Sequence, residues 1–269
     1  MNRSDQLKSL ATQKQWDIIV IGGGATGLGA ALDAALRGYT TLLIEGFDFA
    51  KGTSSRSTKL VHGGVRYLEQ GNIKLVREAL RERGNLLKNA PHLTSIQPFI
   101  VPVFSYWEKL FYGLGLIFYD LLSGKLTLGK TKILSKKETI SQLPSINSKN
   151  LVGGILYYDG QFDDSRLAIE LAATAIKKGA TVVNYCKATG FIKTNGKITG
   201  VECIDQLSQT KYSLFTKAVV NATGVFTNEV VQMDDHLKHH LVSPSQGIHL
   251  VIEASFFEGN NAMKIPKTE

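Results

Sequence analysis

With 269 residues, 43% hydrophobic and 20% charged, the chain is long and apolar enough for one large domain or two interleaved ones. Such a composition excludes a disordered tail, a disulfide-stapled miniprotein and a collagen-like fibre, and the 26 glycines exceed the usual share of about 7%. The net charge of +8 suits an anionic small molecule, an anionic membrane surface or nucleic acid alike, while the spacing of Cys186 and Cys203 excludes a zinc or CxxC site and favours a reducing compartment.

Residues 1–15 are polar, with neither the apolar core of a secretory signal nor the length of a membrane span, so the protein is expected to start in the cytoplasm. The apolar, β-branched run 16–21 ends in glycines and predicts a fully buried strand. A helix over 26–37 follows, with a small face of Gly27, Ala30, Ala31 and Ala34 and a stop at Gly38. Residues 39–45 supply the second strand of a βαβ unit. In 72–89, Leu75, Val76, Ala79, Leu80, Leu86 and Leu87 recur at helical spacing with Arg and Glu on the other face, and Pro91 ends the helix.

Residues 98–144 change texture to aromatics, short apolar runs and a lysine-rich piece, which suggests an inserted cap. A helix capped by 163–165 runs to about 178 and precedes a strand at 181–185. Strands at 188–193 and 198–205, joined through Asn195-Gly196, form a hairpin, and 211–215 completes a meander. A separate buried parallel strand is expected at 218–222, and 248–252 alternates like a strand. The fold class expected is α/β, with segments at 16–97 and 151–230 forming one nucleotide-binding domain, a cap at 98–150 and a further region at 231–269.

Gly22-Gly23-Gly24-Ala25-Thr26-Gly27 fits G-x-G-x-x-G between a strand and a helix. Gly22 makes the turn, Gly24 admits a pyrophosphate, Gly27 lets helix and strand approach, and the helix N-terminal amides favour the phosphate charge. Glu45, about twenty residues on, suits an unphosphorylated ribose. The pattern serves NAD and FAD equally, and alone it also fits a tight turn. After Glu45, however, the chain runs through Lys51-Gly52-Thr53-Ser54-Ser55-Arg56-Ser57-Thr58-Lys59 into Leu60-Val61-His62-Gly63-Gly64-Val65-Arg66-Tyr67-Leu68. Amides and hydroxyls of that loop could wrap a second phosphate and a ribityl chain, and the paired glycines allow a planar ring to approach closely.

The segment from Thr53 to Glu69 resembles the signature of FAD-dependent glycerol-3-phosphate dehydrogenases, and the likeness extends from Asp17 to Glu269. One departure is Val225-Phe226, where many relatives have Pro-Trp. The resemblance implies a Rossmann-like FAD-binding domain of the two-dinucleotide-binding-fold type with an interleaved cap and substrate region. It implies FAD held by Gly22, Gly24, Gly27, Glu45, Thr53, Ser54, Ser55, Ser57, His62, Gly63, Gly64, Ala188, Ala222, Thr223 and Gly224. It also implies oxidation of sn-glycerol 3-phosphate to dihydroxyacetone phosphate, with electrons passed to a membrane quinone. A phosphate ester with a secondary alcohol needs cationic donors and a proton acceptor. Arg66 matches a family position beside the substrate, Tyr67 adjoins it, and His249 matches an active-site position, although a lone histidine on a strand also fits packing. Related oxidases that use oxygen, flavin amine oxidases and an inactive FAD-binding fragment are the alternatives.

Between Trp107 and Leu128, the residues Trp107, Leu110, Phe111, Leu114, Phe118, Leu121 and Leu122 mostly follow helical spacing, and the apolar run from Leu110 to Leu122 is too short to span a bilayer. They suit either a buried cap helix or an interfacial anchor, and a quinone acceptor favours the anchor on the inner face of the cell membrane. His236 and His240 in Asp234-Asp235-His236-Leu237-Lys238-His239-His240 are read as a solvated helix end, with no metal. No aromatic-interleaved basic strip points to nucleic acid. The abrupt finish after Ile265 leads to the expectation of a dehydrogenase fragment that is inactive alone, and the oligomeric state stays open.

Overall fold

The computed structural model describes residues 2–13, 15–234 and 241–265. In chain order its elements begin with α1 (Arg3–Thr12), β1 (Gln15–Ile21), α2 (Ala25–Leu36), β2 (Thr41–Ile44), β3 (Leu60–Val61), α3 (Val65–Glu69) and α4 (Ile73–Asn89). They continue with β4 (Thr94–Val103), α5 (Tyr106–Ser123), β5 (Lys132–Ser135), α6 (Lys136–Gln142), β6 (Gly153–Phe162) and α7 (Asp164–Lys177). The last are β7 (Thr181–Val183), β8 (Cys186–Thr194), β9 (Lys197–Asp205), β10 (Lys211–Asn221), α8 (Thr227–Asp234) and β11 (Ala262–Met263). Two compact units divide after Ser57, Asp163 and Gly247. Their first boundaries fall at 57/58 and 163/164, not at the 97/98 and 150/151 drawn from sequence texture, because Leu60 and Val61 pair with Gln161 and Gly160.

The first unit carries a six-stranded sheet in the order β7-β2-β1-β10-β9-β8. Strand β1 pairs in parallel with β2 and β10, and β2 pairs in parallel with β7. Both faces of this centre are covered, which explains its unbroken apolar runs. Ile19, Ile21, Leu42 and Ile44 pack with Val201, Cys203 and Leu214 on one side. Val20 and Leu43 face Leu28 and Ala31 of α2 and Ala168, Ala172 and Ala175 of α7 on the other. The small residues of these two helices let both lie close to the sheet. The hairpin of β8 and β9 turns at Asn195 and Gly196, both at positive φ, as its sequence predicts.

Three expectations are corrected here. The strands expected at 211–215 and 218–222 are one strand, β10, which ends at Asn221; its first half pairs antiparallel with β9 and its second half parallel with β1. The strand-like run at 248–252 forms no strand, and Ile248, Leu250 and Val251 stand open at 86%, 84% and 99% exposure. Finally, the first ordered element is helix α1 and not the strand read from residue 16, and its Leu10 joins the core.

Arg3 fastens that helix. Its Nη2 lies 2.5 Å from Asp205 Oδ1 and donates to the Asn184 carbonyl at 2.9 Å. Burial raises the Asp205 pKa, but Arg3, the Ser208 hydroxyl and the Leu207 amide outweigh it and hold the carboxyl at about 2. An unfolded aspartate titrates near 3.9. The resulting stabilisation is therefore complete above pH ~4 and is lost as the pH falls toward ~2. In denaturant titrations, Asp205→Asn is expected to unfold at lower denaturant than wild type at neutral pH, with the two curves converging near pH 2. Curves that stay parallel across this range would remove Asp205 from the acid response.

The second unit builds a sheet in the order β11-β4-β6-β3, with β5 also on β6. Ten residue pairs join β4 to β6. On α4, Val76, Leu80, Arg83 and Gly84 are buried, whereas Leu75 is 36% exposed. Arg83 thus sits on the buried face and not among the solvated charges that the helical spacing suggests. Helix α5 opens with a capping box between Ser105 and Glu108 and ends at Gly124, short of residue 128. It buries Gly113, Leu116, Tyr119 and Ser123 and leaves Trp107, Leu110, Phe111, Leu114, Phe118 and Leu121 exposed. No helix among the described residues is long and apolar enough to cross a membrane.

Candidate cofactor site

At the ends of β1, β2 and β10 in the first unit, the backbone closes around the glycine turn. The Gly22 amide donates to the Ile44 carbonyl at 2.9 Å and the Ala222 amide to the Ile21 carbonyl at 2.8 Å. Gly22 has φ +115°, and a Cβ there would stand 2.6 Å from the Ala222 carbonyl oxygen. At Gly27 the constraint is closer still, because a Cβ would lie 1.9 Å from the Gly22 carbonyl oxygen. Gly22 therefore makes the turn, and Gly27 allows the close approach of helix and strand, that the sequence assigns to them.

Glu45 follows β2 and is half-buried. Its Oε2 accepts from the Gly23 amide at 2.5 Å and its Oε1 from the Phe47 amide at 2.8 Å. This pins the carboxylate at the mouth of the turn, with lone pairs left for ligand hydroxyls. Helix α2 begins at Ala25 beside it, and the Ala25 amide donates to Ser54 Oγ at 2.9 Å. A Cβ on Gly24 would come within 3.0 Å of that same Oγ. The helix start is thus a ready anion site, closely lined by backbone and one hydroxyl.

These parts surround a cavity of about 800 Å³. Among the residues expected from the sequence, Gly22, Gly24, Glu45, Thr53, Ser54, Ala188, Ala222, Thr223 and Gly224 line it. Gly27 shapes it from behind. Ser55 is not in the lining, and neither is Ser57, whose hydroxyl donates to Asp164 Oδ2 at 2.8 Å and so ties the loop to the start of α7. Thr223 is oriented by Asn221, whose Oδ1 accepts from its hydroxyl at 2.7 Å and its amide at 3.2 Å.

Lining residues outside the expected set include Phe47, Lys51, Lys187, Phe226 and Ser245. Phe47 and Phe226 meet at the rim with ring centroids 6.2 Å apart. The Val225-Phe226 departure is the one sequence signal at that place. Lys187 carries no local signal, since it comes there beside Gly46, where the Cys186 amide donates to the Glu45 carbonyl at 2.7 Å.

The second unit holds His62, Gly63, Gly64, Arg66, Tyr67 and His249. His62 Nδ1 accepts from the Gly64 amide at 3.2 Å, and Gly64, at φ +74°, begins the short helix α3. Arg66 and Tyr67 lie exposed on that helix. His249 is exposed in the irregular segment that replaces its expected strand. Among the described residues no group of three or more His, Cys, Asp or Glu is arranged to hold a metal, and residues 235–240, with His236 and His240, lie outside them.

The chain is 41% identical over 280 residues to human mitochondrial glycerol-3-phosphate dehydrogenase, covering 99% of this chain and 38% of that one. With the Saccharomyces cerevisiae mitochondrial protein of the same name, identity is 44% over 243 residues, covering 87% and 37%. The crystal structure of Bacillus halodurans glycerol-3-phosphate dehydrogenase complexed with FAD superposes with a TM-score of 0.68 at 35% identity, covering 87% of this chain and 39% of that one. The chain thus spans less than half the length of these relatives. A family model described as FAD dependent oxidoreductase matches residues 17–268. With the glycine turn, its acid and the sheet that presents them all in place, the chain belongs to the FAD-dependent oxidoreductases.

Proposed function

We propose that this protein oxidises sn-glycerol 3-phosphate to dihydroxyacetone phosphate and delivers the electrons to a membrane quinone. The observation that carries the reading is its likeness, over nearly the whole chain, to glycerol-3-phosphate dehydrogenases. The cavity fits FAD, because Gly22, Gly24 and Gly224 line it with bare backbone and because Glu45 and the start of α2 lie beside it. Gly22, Gly24, Glu45, Thr53, Ser54, Ala188, Ala222, Thr223 and Gly224 would hold the dinucleotide. Gly27, Ser55 and Ser57 shape the surrounding backbone, and His62, Gly63 and Gly64 would contact the ring. When bound, FAD supplies a hydride acceptor. Arg66 holds the substrate phosphate or the reacting oxygen, Tyr67 flanks it, and the His249 imidazole takes the hydroxyl proton.

The test is glycerol 3-phosphate added to the holoprotein with a quinone analogue. Bleaching of the flavin absorbance and reduction of the quinone support the reading. Hydrogen peroxide as the product would identify an oxidase, and bleaching by amino acids alone an amine oxidase. Arg66→Ala is expected to raise KM at least tenfold and leave the FAD Kd unchanged, since a charge-assisted bond contributes roughly 1.5–3 kcal/mol. His249→Ala should lower turnover and flatten its pH profile. Unchanged kinetics would strip either residue of its role.

The exposed face of α5 fits a lipid surface, and the protein is proposed to sit peripherally on the inner face of the cell membrane. Aromatic and aliphatic side chains share that face, with Trp107 and Leu121 each 72% exposed, and the chain is cationic overall. Replacing Leu110 and Leu114 with serine is expected to abolish flotation with phosphatidylcholine–phosphatidylglycerol vesicles. Undiminished flotation would clear α5 of the contact.

A further inference from the structure

Inside the second unit lies a cluster of polar side chains that the proposed chemistry does not use. Arg83, Tyr119 and Asp159 are 1%, 1% and 3% exposed. Arg83 Nη1 donates to Asp159 Oδ1 at 2.9 Å, and the Tyr119 hydroxyl donates to Asp159 Oδ2 at 3.1 Å. A second guanidinium nitrogen, Nη2, reaches the Leu126 carbonyl at 3.1 Å. The guanidinium carbon also lies 5.8 Å from the Tyr119 ring centroid. One ion pair and one phenol thus tie together α4, α5 and β6.

The cluster faces the paired glycines. The Gly63 amide donates to the Tyr119 hydroxyl, and a Cβ on Gly63 would stand 2.3 Å from that oxygen and 2.2 Å from Leu80 Cδ2. Direction is fixed by chemistry. An ionised carboxylate only accepts, so Tyr119 must spend its proton on Asp159 and offer its lone pairs to Gly63. Burial and the Asp159 charge hold the phenol protonated. In a trans peptide the N–H and C=O point opposite ways, so drawing the Gly63 amide inward turns the His62 carbonyl outward. Gly64 then starts α3, which carries Arg66 and Tyr67.

We infer that Tyr119, held by Asp159 and Arg83, is a positioning residue that sets the Gly63–Gly64 turn, and through it Arg66, for the flavin reaction. This rests on the FAD reading proposed above. Networks of this kind act as a unit, because low local polarity strengthens each bond and makes an unmade one costly.

The experiment is Tyr119→Phe in the FAD-loaded protein, which removes one hydroxyl and keeps the ring and the Arg83–Asp159 pair. Expected are faster hydrogen exchange at the Gly63 amide, a shifted flavin absorption band and an FAD Kd raised about tenfold, as for one lost bond to a buried network. Should the variant fail to fold, a ring-fluorinated tyrosine at 119 keeps the shape and weakens the oxygen as acceptor, and a smaller change in the same three readouts is expected. Wild-type exchange, spectrum and Kd in either variant would overturn the inference and leave the FAD reading standing. A wild-type chain that takes up no FAD would overturn both.

Discussion

Gly27→Ala is expected to abolish FAD binding, with the Kd raised a hundredfold or more. The added Cβ would stand 1.9 Å from the Gly22 carbonyl oxygen and 3.2 Å from Ala222 Cβ, and neither can retreat. Gly22 is held through its amide by Ile44, and Ala222 through its amide by Ile21. Helix α2 must therefore lift from the sheet, which strains the core by about 1–3 kcal/mol or more and carries the anion-binding amides away from their target. Gly29, two residues along the same helix, has no atom within 4 Å of an added Cβ. Gly29→Ala should instead stabilise the protein by about 0.5–1 kcal/mol through helix propensity, with FAD binding intact. Flavin-fluorescence titration and urea unfolding of the pair test this. Equal FAD affinity in the two variants would refute the steric account of the fingerprint.

Arg83→Met should destabilise the fold by about 3–5 kcal/mol, because it leaves the Asp159 carboxylate buried without its partner. The guanidinium is so enclosed that its Nε has no hydrogen-bond partner among the described residues, which limits the net worth of the intact pair. What the variant measures is the cost of an orphaned charge, not the strength of a bond. Adding Asp159→Asn to Arg83→Met is accordingly expected to recover a large part of the loss. Denaturant midpoints of the two single variants and the double variant complete the cycle. A loss below about 1 kcal/mol in Arg83→Met would mean that water reaches Asp159.

How much could be read beforehand follows from the range of the forces involved. The glycine turn and Glu45 were legible because their steric and hydrogen-bonding demands act within about one βαβ unit. The βαβ opening, the α7 helix and the Asn195-Gly196 hairpin were legible for the same reason. Strand β10 was not recognised as one strand, since its two halves answer to different partners and thus change burial pattern midway. Residues 248–252 alternate as a strand should, yet no described strand pairs with them. Arg83 and Asp159 could not be matched from sequence. An arginine on an amphipathic helix reads as solvated until a carboxylate from 76 residues away arrives beneath it. Lys187 and Phe226 likewise reach the cavity beside partners distant in sequence, the segment after β2 and Phe47.

The placement of β10 beside β1 also bears on how the chain is made. Lys217 meets Asp17 across 200 residues of sequence, and the stretch from Thr58 to Asp163 that lies between them belongs to the other unit. At roughly 5–20 residues per second of synthesis, β1 waits on the order of 10–40 seconds before its second neighbour leaves the ribosome. During that interval one edge of a strongly apolar strand is open, the condition in which strands recruit the wrong partner. The other unit's β3, β4 and β6 emerge in full during the wait and can pair among themselves. Sheet closure in the first unit is thus a late, high-contact-order event, and nascent chains stalled before residue 211 should depend most on chaperones.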